Sequence, residues 1–252
     1  MAKQKGIIKL DGTIGGITFY KTTEDGYLAR EKGGVSADKI ANDPAFQRTR
    51  ENGEEFGRAG KAGKLLRNSI RAMLQNASDS RVVSRLTQKM VEVIQEDATN
   101  PRGLRNVIDG EAELLEGFEF NISGKLGTTL YAPFTGTIDR VAGTLTANIP
   151  AFVPINMLAA PGGSTHFKIV SAGAEVDFEN ETFVMDAQAT AVLPWDSAAT
   201  AVITLVNTVT ANSTHPLFLA LGIEFYQEVN GQMYPLKNGA FNPLSLVKVS
   251  GL

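Results

Sequence analysis

The chain has 252 residues, 43% hydrophobic and 20% charged, which is enough apolar material for one or two domains with a real core. It contains no cysteine and only two histidines, His166 and His215, which excludes a disulfide framework, thiolate metal sites and cysteine nucleophiles. The formal net charge of −3 conceals a split: residues 1–107 carry 19 Lys and Arg against 13 Asp and Glu, and residues 108–252 carry 5 against 14. Two readings fit this split. Either helices carrying solvated charge pairs precede strands that carry few, or the molecule is polar, with a basic end that meets an acidic partner or the acidic end of a sister subunit. No apolar run follows the basic residues of "MAKQKGIIKLDGT", so no signal peptide is expected. The longest apolar stretch, "LFLALGI" at 217–223, is far short of a membrane span. Cytoplasmic synthesis is expected, followed or not by residence in a virion or other particle.

Residues 1–34 read as an extended arm carrying a β-hairpin. Ile14, Ile17, Phe19, Tyr27 and Leu28 are its strand-favouring, packable residues. Glu24-Asp25-Gly26 is the turn, and Gly12, Gly15, Gly16, Gly33 and Gly34 bracket the hairpin as hinges. A two-stranded hairpin is marginal in water, so it needs a surface to lie on, in its own chain or in a neighbour. Those five residues are the expected inter-subunit contacts.

Residues 35–116 read as helical. Asp43 is a good N-cap and Pro44 fits the first helical position, where no amide is needed. Phe56, Leu66, Ile70, Met73 and Leu74 follow at helical spacing. A second helix opens after Ser78 or Asp79, with Val83, Leu86, Met90, Val93 and Ile94 as its apolar stripe, and ends by Asn100-Pro101. "LRNVID" is expected to add a short helical piece, and "EAELLEG" reads as a last helical turn or as the lead into a strand. From residue 117 to 252 short apolar segments alternate with turn residues, as expected of a β-sandwich. Asn230-Gly231, between "FYQEV" and "QMYPL", is its strongest hairpin signal. The fold class is therefore α+β: a hairpin arm and a helical segment, then a sandwich that is jelly-roll-like or, alternatively, immunoglobulin-like.

The search for chemistry finds little. Gly57, Gly63 and Lys64 do not fit the phosphate-loop spacing, and Leu65 stands where that loop needs Ser or Thr. Gly57, Gly60 and Gly63, interleaved with Ala59 and Ala62, instead give a helix wall that another backbone can approach closely, and the hairpin is one candidate to do so. The same stretch carries Arg58, Lys61, Lys64, Arg67 and Arg71, a basic face for nucleic acid or for another subunit. The alternative is a solvated face paired with Glu51, Glu54 and Glu55 one turn back. Glu175, Asp177, Glu179 and Glu181 alternate as one side of a strand, which suits either a hard cation or plain solvent. No catalytic set, metal or cofactor is expected; Trp195 reads as core.

The string "GTIGGITFYKTTEDGYLAREKGG", followed by "NDPAFQRTRENGEEFGRAGKAGKLLR", resembles the N-terminal region of an uncharacterised group of proteins of Bacteroidota and their phages. There too a glycine-bracketed hairpin, Gly12 to Arg30 in this chain, precedes a helix whose start matches Arg48 to Asn52. The resemblance covers about the first 70 residues. It implies a bacterial or phage origin and carries no enzymatic residue. With no catalytic signature and a hairpin that needs a docking surface, the expected function is a non-enzymatic, self-assembling subunit of a phage or phage-like capsid or shell. Its partners would be other copies of itself and, through the basic helix, nucleic acid, with no membrane contact. The competing reading is a β-sandwich module that binds carbohydrate or protein.

Overall fold

The glycine-rich opening stretch forms a four-stranded antiparallel sheet rather than a lone hairpin. Its strands are β1 (Ala2–Lys3), β2 (Gly12–Ile14), β3 (Ile17–Thr22) and β4 (Gly26–Glu31), in the order β1-β4-β3-β2. The expected β3–β4 hairpin is present, and Gly26, at φ +75°, supplies the conformation its turn requires. Gly15 and Gly16 are not hinges. They form the two-residue turn that pairs Ile14 with Ile17, with Gly15 at φ +58°. The hairpin thus receives strand partners on both sides from its own segment, one of the two sources the sequence left open.

This sheet lies in the first of two compact units, residues 1–50; the second spans 51–252, with most of one long helix. The computed structural model describes residues 2–77 and 79–251. Ser78, one of the two positions expected to open the second helix, lies outside the described residues. In the first unit Ser36 caps α1 (Ala37–Asn42), its hydroxyl accepting from the Lys39 amide at 3.3 Å. Asp43 caps as expected: its carboxylate accepts from the Ala45 amide at 2.9 Å, and Pro44 opens a 3-10 turn leading into α2 (Gln47–Ser69).

In the second unit α2 is followed by α3 (Arg71–Leu74) and α4 (Val82–Gln95). Leu66, Ile70, Met73, Leu86, Met90, Val93 and Ile94 are buried. Phe56 and Val83 are exposed; Val82 takes the inward place expected of Val83. No helix forms at 104–109. The buried Asp97 carboxylate accepts from the amides of Thr99, Asn100 and Asn106, and Asn106 from those of Ile108 and Asp109, so side chains satisfy backbone that a helix would have satisfied. "AELL" closes as a 3-10 turn, Ala112–Leu115. Of the apolar segments that open the stretch read as a sandwich, "FEFNI" at 118–122 and "TTLYA" at 128–132, expected as strands, are not strands: both Glu119 oxygens accept from the Leu126 amide, at the start of the short helix α5 (Leu126–Thr129).

The rest is antiparallel sheet. Strands β5 (Thr135–Asp139) and β6 (Thr144–Ile149) form a hairpin, and α6 (Pro154–Met157) follows. Then come β7 (His166–Asp177), β8 (Thr182–Ala189), β9 (Leu193–Pro194), β10 (Ile203–Thr208), β11 (Leu217–Val229), β12 (Gln232–Pro235) and β13 (Leu244–Ser250). One sheet has the order β10-β6-β5; the other runs β12-β11-β7-β8, with β13 beside the first half of β11 and β9 beside the start of β7. Asn230 and Gly231, at φ +53° and +75°, make the expected two-residue turn between β11 and β12.

Two cores lie on opposite sides of the larger sheet. Leu145, Ile149, Phe167, Leu205, Leu219 and Ile223 fill the space between the sheets. Ala172, Ala174, Val176, Phe218 and Leu246 pack against Leu66, Leu86, Met90 and Ile94 of the helical layer. The expected sandwich is therefore the outer part of a three-layer body. Burial on both faces explains why "LFLALGI" reads as an unbroken apolar run rather than an alternation. The sheets approach closely at Gly173, where an added Cβ would lie 2.7 Å from that of Asn207.

Candidate functional site

Three surfaces stand out, two of which gather residues singled out from the sequence. The first is one face of the N-terminal sheet. The register places Ala2, Ile14, Ile17, Phe19, Tyr27 and Ala29 on the same side. Ile14 remains 61% and Ile17 47% exposed, and a shallow groove of about 650 Å³ runs past Ala2, Gly16, Ile17 and Ala29. Four of the five expected contact residues thus share one face, with Lys21 and Glu31 at its margins. Leu28 is on the other side of the sheet and is buried; among the described residues it is the sole buried hydrophobic residue before Ala59. The polar order of this unit comes from side chains: Gln4 donates to the carbonyls of Leu10 and Leu28 and accepts from the Leu10 amide. Lys9 and Lys21 lie within 6 Å of the Tyr27 ring, and Arg30 lies over Tyr20.

The second surface is the basic stripe, which divides. Arg58 is structural: its guanidinium donates to the carbonyls of Gly103 (2.6 Å) and Arg105 (3.1 Å) and stands 3.8 Å from Glu54. Lys61, Lys64 and Arg71 are exposed and Arg67 half-buried, and no ion pair joins any of the four to an acid among the described residues. The acids expected to neutralise them are engaged elsewhere. Glu55 is buried and forms a two-pronged pair with Arg105, 2.8 Å on each prong, while accepting from the Gly103 amide. Glu51 faces Arg102 at 3.8 Å. The helix breaks at Ile70 (φ −112°, ψ 24°), so Arg71 begins α3 rather than continuing the α2 face.

Comparisons with known protein families, with curated proteins and with solved structures return no match.

The glycine wall is only partly used. Gly63 meets Leu86 and Met90, and Ala59 and Ala62 are buried, but Gly57 and Gly60 face open space. Beside Gly60 an apolar groove of about 820 Å³ runs along α2 and α4, lined by Phe56, Val83, Thr87 and Val91. The acidic alternation divides: Glu179 and Glu181 are exposed in the turn after β7, and Glu175 and Asp177 take structural roles. Glu175 accepts from the Ser213 hydroxyl (2.7 Å) and the Thr210 amide (3.1 Å); Asp177 accepts from the amides of Glu179 and Asn180. Among the described residues no three His, Asp or Glu side chains lie close enough to hold a metal ion, and no helix is long and apolar enough to cross a membrane. The two histidines are far apart in role. His166 shares a hydrogen bond with the Thr165 hydroxyl, and His215 stands 3.8 Å from Asp177. Trp195 packs on the inter-sheet core and donates from its indole to the Leu158 carbonyl. The third surface is one that spacing did not single out: the edge strand β8, where Phe183, Val184 and Met185 are all exposed. Three consecutive apolar residues in one strand are the signal that marks it.

Proposed function

We propose that this protein is a non-enzymatic, self-assembling structural subunit of a phage or phage-like particle, acting by association of copies rather than by catalysis. The observation that carries the reading is the N-terminal sheet: four strands, a face on which Ile14, Ile17, Phe19 and Tyr27 are flanked by Lys21 and Glu31, and Leu28 as the one buried hydrophobic residue among its described residues. A small sheet is stable when a hydrophobic face is covered, and the described residues among 1–50 supply no second sheet to cover this one. A second copy is the natural cover, because the charge split makes the chain complementary to itself, basic over residues 1–107 and acidic over 108–252. Contacts between unlike surfaces of identical subunits generate rings, shells or filaments. The resemblance of the first 70 residues to proteins of Bacteroidota and their phages points the same way. Lys61, Lys64, Arg67 and Arg71, which join no acid among the described residues, would meet nucleic acid or the acidic half of a neighbour.

For the sandwich we favour the immunoglobulin-like reading over the jelly roll. Successive strands stay together as the hairpins β5–β6, β7–β8 and β11–β12, while the chain changes sheets from β6 to β7 and on either side of β10. That order also suits a loop-presenting binding module, which would remain monomeric. Removing residues 1–34 separates the readings. The intact chain is expected to scatter light as a species that grows with concentration, and the truncated chain to stay at monomer mass with its cooperative unfolding retained. Assembly unchanged by the truncation would exclude the N-terminal sheet as the contact.

A further inference from the structure

We propose that β8 is a self-pairing edge, through which two copies join their larger sheets antiparallel about a two-fold axis at Met185. The inference rests on the self-assembly reading and adds a second, independent contact to it. Strand β8 ends its sheet: it pairs with β7 without a register break from Thr182 to Ala189 and has no strand hydrogen-bonded on its other side among the described residues. The direction of its free groups follows from the ladder. The Thr190 amide donates to the Ile169 carbonyl at 3.0 Å, so even-numbered residues of this strand face β7. The amides and carbonyls of Phe183, Met185 and Ala187 therefore point outward.

Natural edges are blunted by lysines, prolines, bulges or short length. This one has eight residues, no lysine, no proline and an unbroken register. Its single charge, Asp186, is turned aside, its carboxylate accepting from the Thr208 amide of β10 at 2.9 Å. Phe183, Val184 and Met185 are 43, 45 and 36% exposed.

Self-complementarity argues for a second copy as the occupant. Continuing the sheet requires partners on the same face with outward-pointing backbone, which an axis at Met185 satisfies over residues 182–188. Met185 then opposes its counterpart, Phe183 fits over the small Ala187 of the second copy, and Val184 lies opposite Asp186, so no like charges face each other.

The chain is free of cysteine, which makes the register directly testable. In an M185C variant the two copies of residue 185 would sit about 5.5 Å apart between Cα atoms, inside the range a disulfide spans. Mild oxidation of the full-length variant should give a covalent dimer in high yield. A189C, on the same face but opposite residue 181 of the second copy, should give at least tenfold less. A second variant, A187P, removes an outward amide and no bond to β7; it should weaken association at least tenfold while the thermal midpoint is kept. Equal cross-linking of M185C and A189C, or assembly unaffected by A187P, would overturn the pairing of β8 while leaving self-assembly through other surfaces intact. A full-length chain that stays monomeric at every concentration would remove both.

Discussion

At the scale of single residues the helical layer is fastened by Glu55. Its carboxyl is held below the usual carboxylate range by the hydrogen-bonded guanidinium of Arg105, which outweighs the opposing effect of burial. For Asp97 burial pushes the other way most strongly, and the hydrogen bonds from Asn100, Asn106 and Thr99 together prevail, so it too is lowered. A carboxyl with a depressed folded-state pKa adds stability above its unfolded value, about 4, and that stability is lost as the pH falls through the folded value. The unfolding free energy should therefore fall as the pH drops below about 4. Glu55→Gln, which leaves the half-buried Arg105 without its charge partner, should cost about 2 kcal/mol at pH 7 in urea titration. The gap between variant and parent should narrow toward pH 3; a gap independent of pH would contradict the ion pair. This partner was invisible in the sequence. Helical spacing offers Glu55 the cations a turn away, whereas Arg105 lies 50 residues on and is delivered by a loop that Asp97 and Asn106 shape. Neutralising Lys61, Lys64, Arg67 and Arg71 to Gln should lower any affinity for nucleic acid and flatten its dependence on salt; equal binding by parent and variant at low salt would remove the stripe from that role.

At the scale of elements, glycines separate contacts that are made from surfaces left open. Gly173 lets the sheets meet, and Gly173→Ala should destabilise by about 1–3 kcal/mol because Asn207 has no room to retreat. Gly57 faces open space within α2, so Gly57→Ala should stabilise the isolated chain by about 1 kcal/mol, read as a higher urea midpoint. The elements most legible in advance were those coded locally. Asn230-Gly231 dictates its turn, Asp43-Pro44 its helix entry, and the spacing of Leu86, Met90, Val93 and Ile94 its buried stripe. What failed was coded by side chains capping backbone. Asp97 and Asn106 replace a helix at 104–109, and Glu119 ties down the start of α5 where strands were expected. Phe56 and Val83 keep helical spacing but face outward, because periodicity identifies a stripe without saying whether anything covers it.

At the scale of the molecule, the α+β class and the antiparallel layers were readable from composition and turn spacing, but the arrangement of the layers was not. Whether a strand is covered on one face or two depends on which helices reach it, and the Leu217–Val229 strand is read as doubly buried only once α2 and α4 are seen behind it. The same limit applies to the N-terminal sheet. Its sequence supplies Ile14, Ile17, Phe19 and Tyr27 for one face, and among the described residues of the unit 1–50 no second layer of strands is stacked on it. The exposed Ile14 and Ile17 of the small sheet, the edge at β8 and the opposite charge of the two halves of the chain are the grounds of the proposed association with copies of itself. Sedimentation of the intact protein across a wide range of concentration tests this most directly. The account predicts species heavier than the 27.0 kDa chain that gain mass as concentration rises. One boundary at the mass of a single chain, persisting at the highest concentration reached, would contradict it.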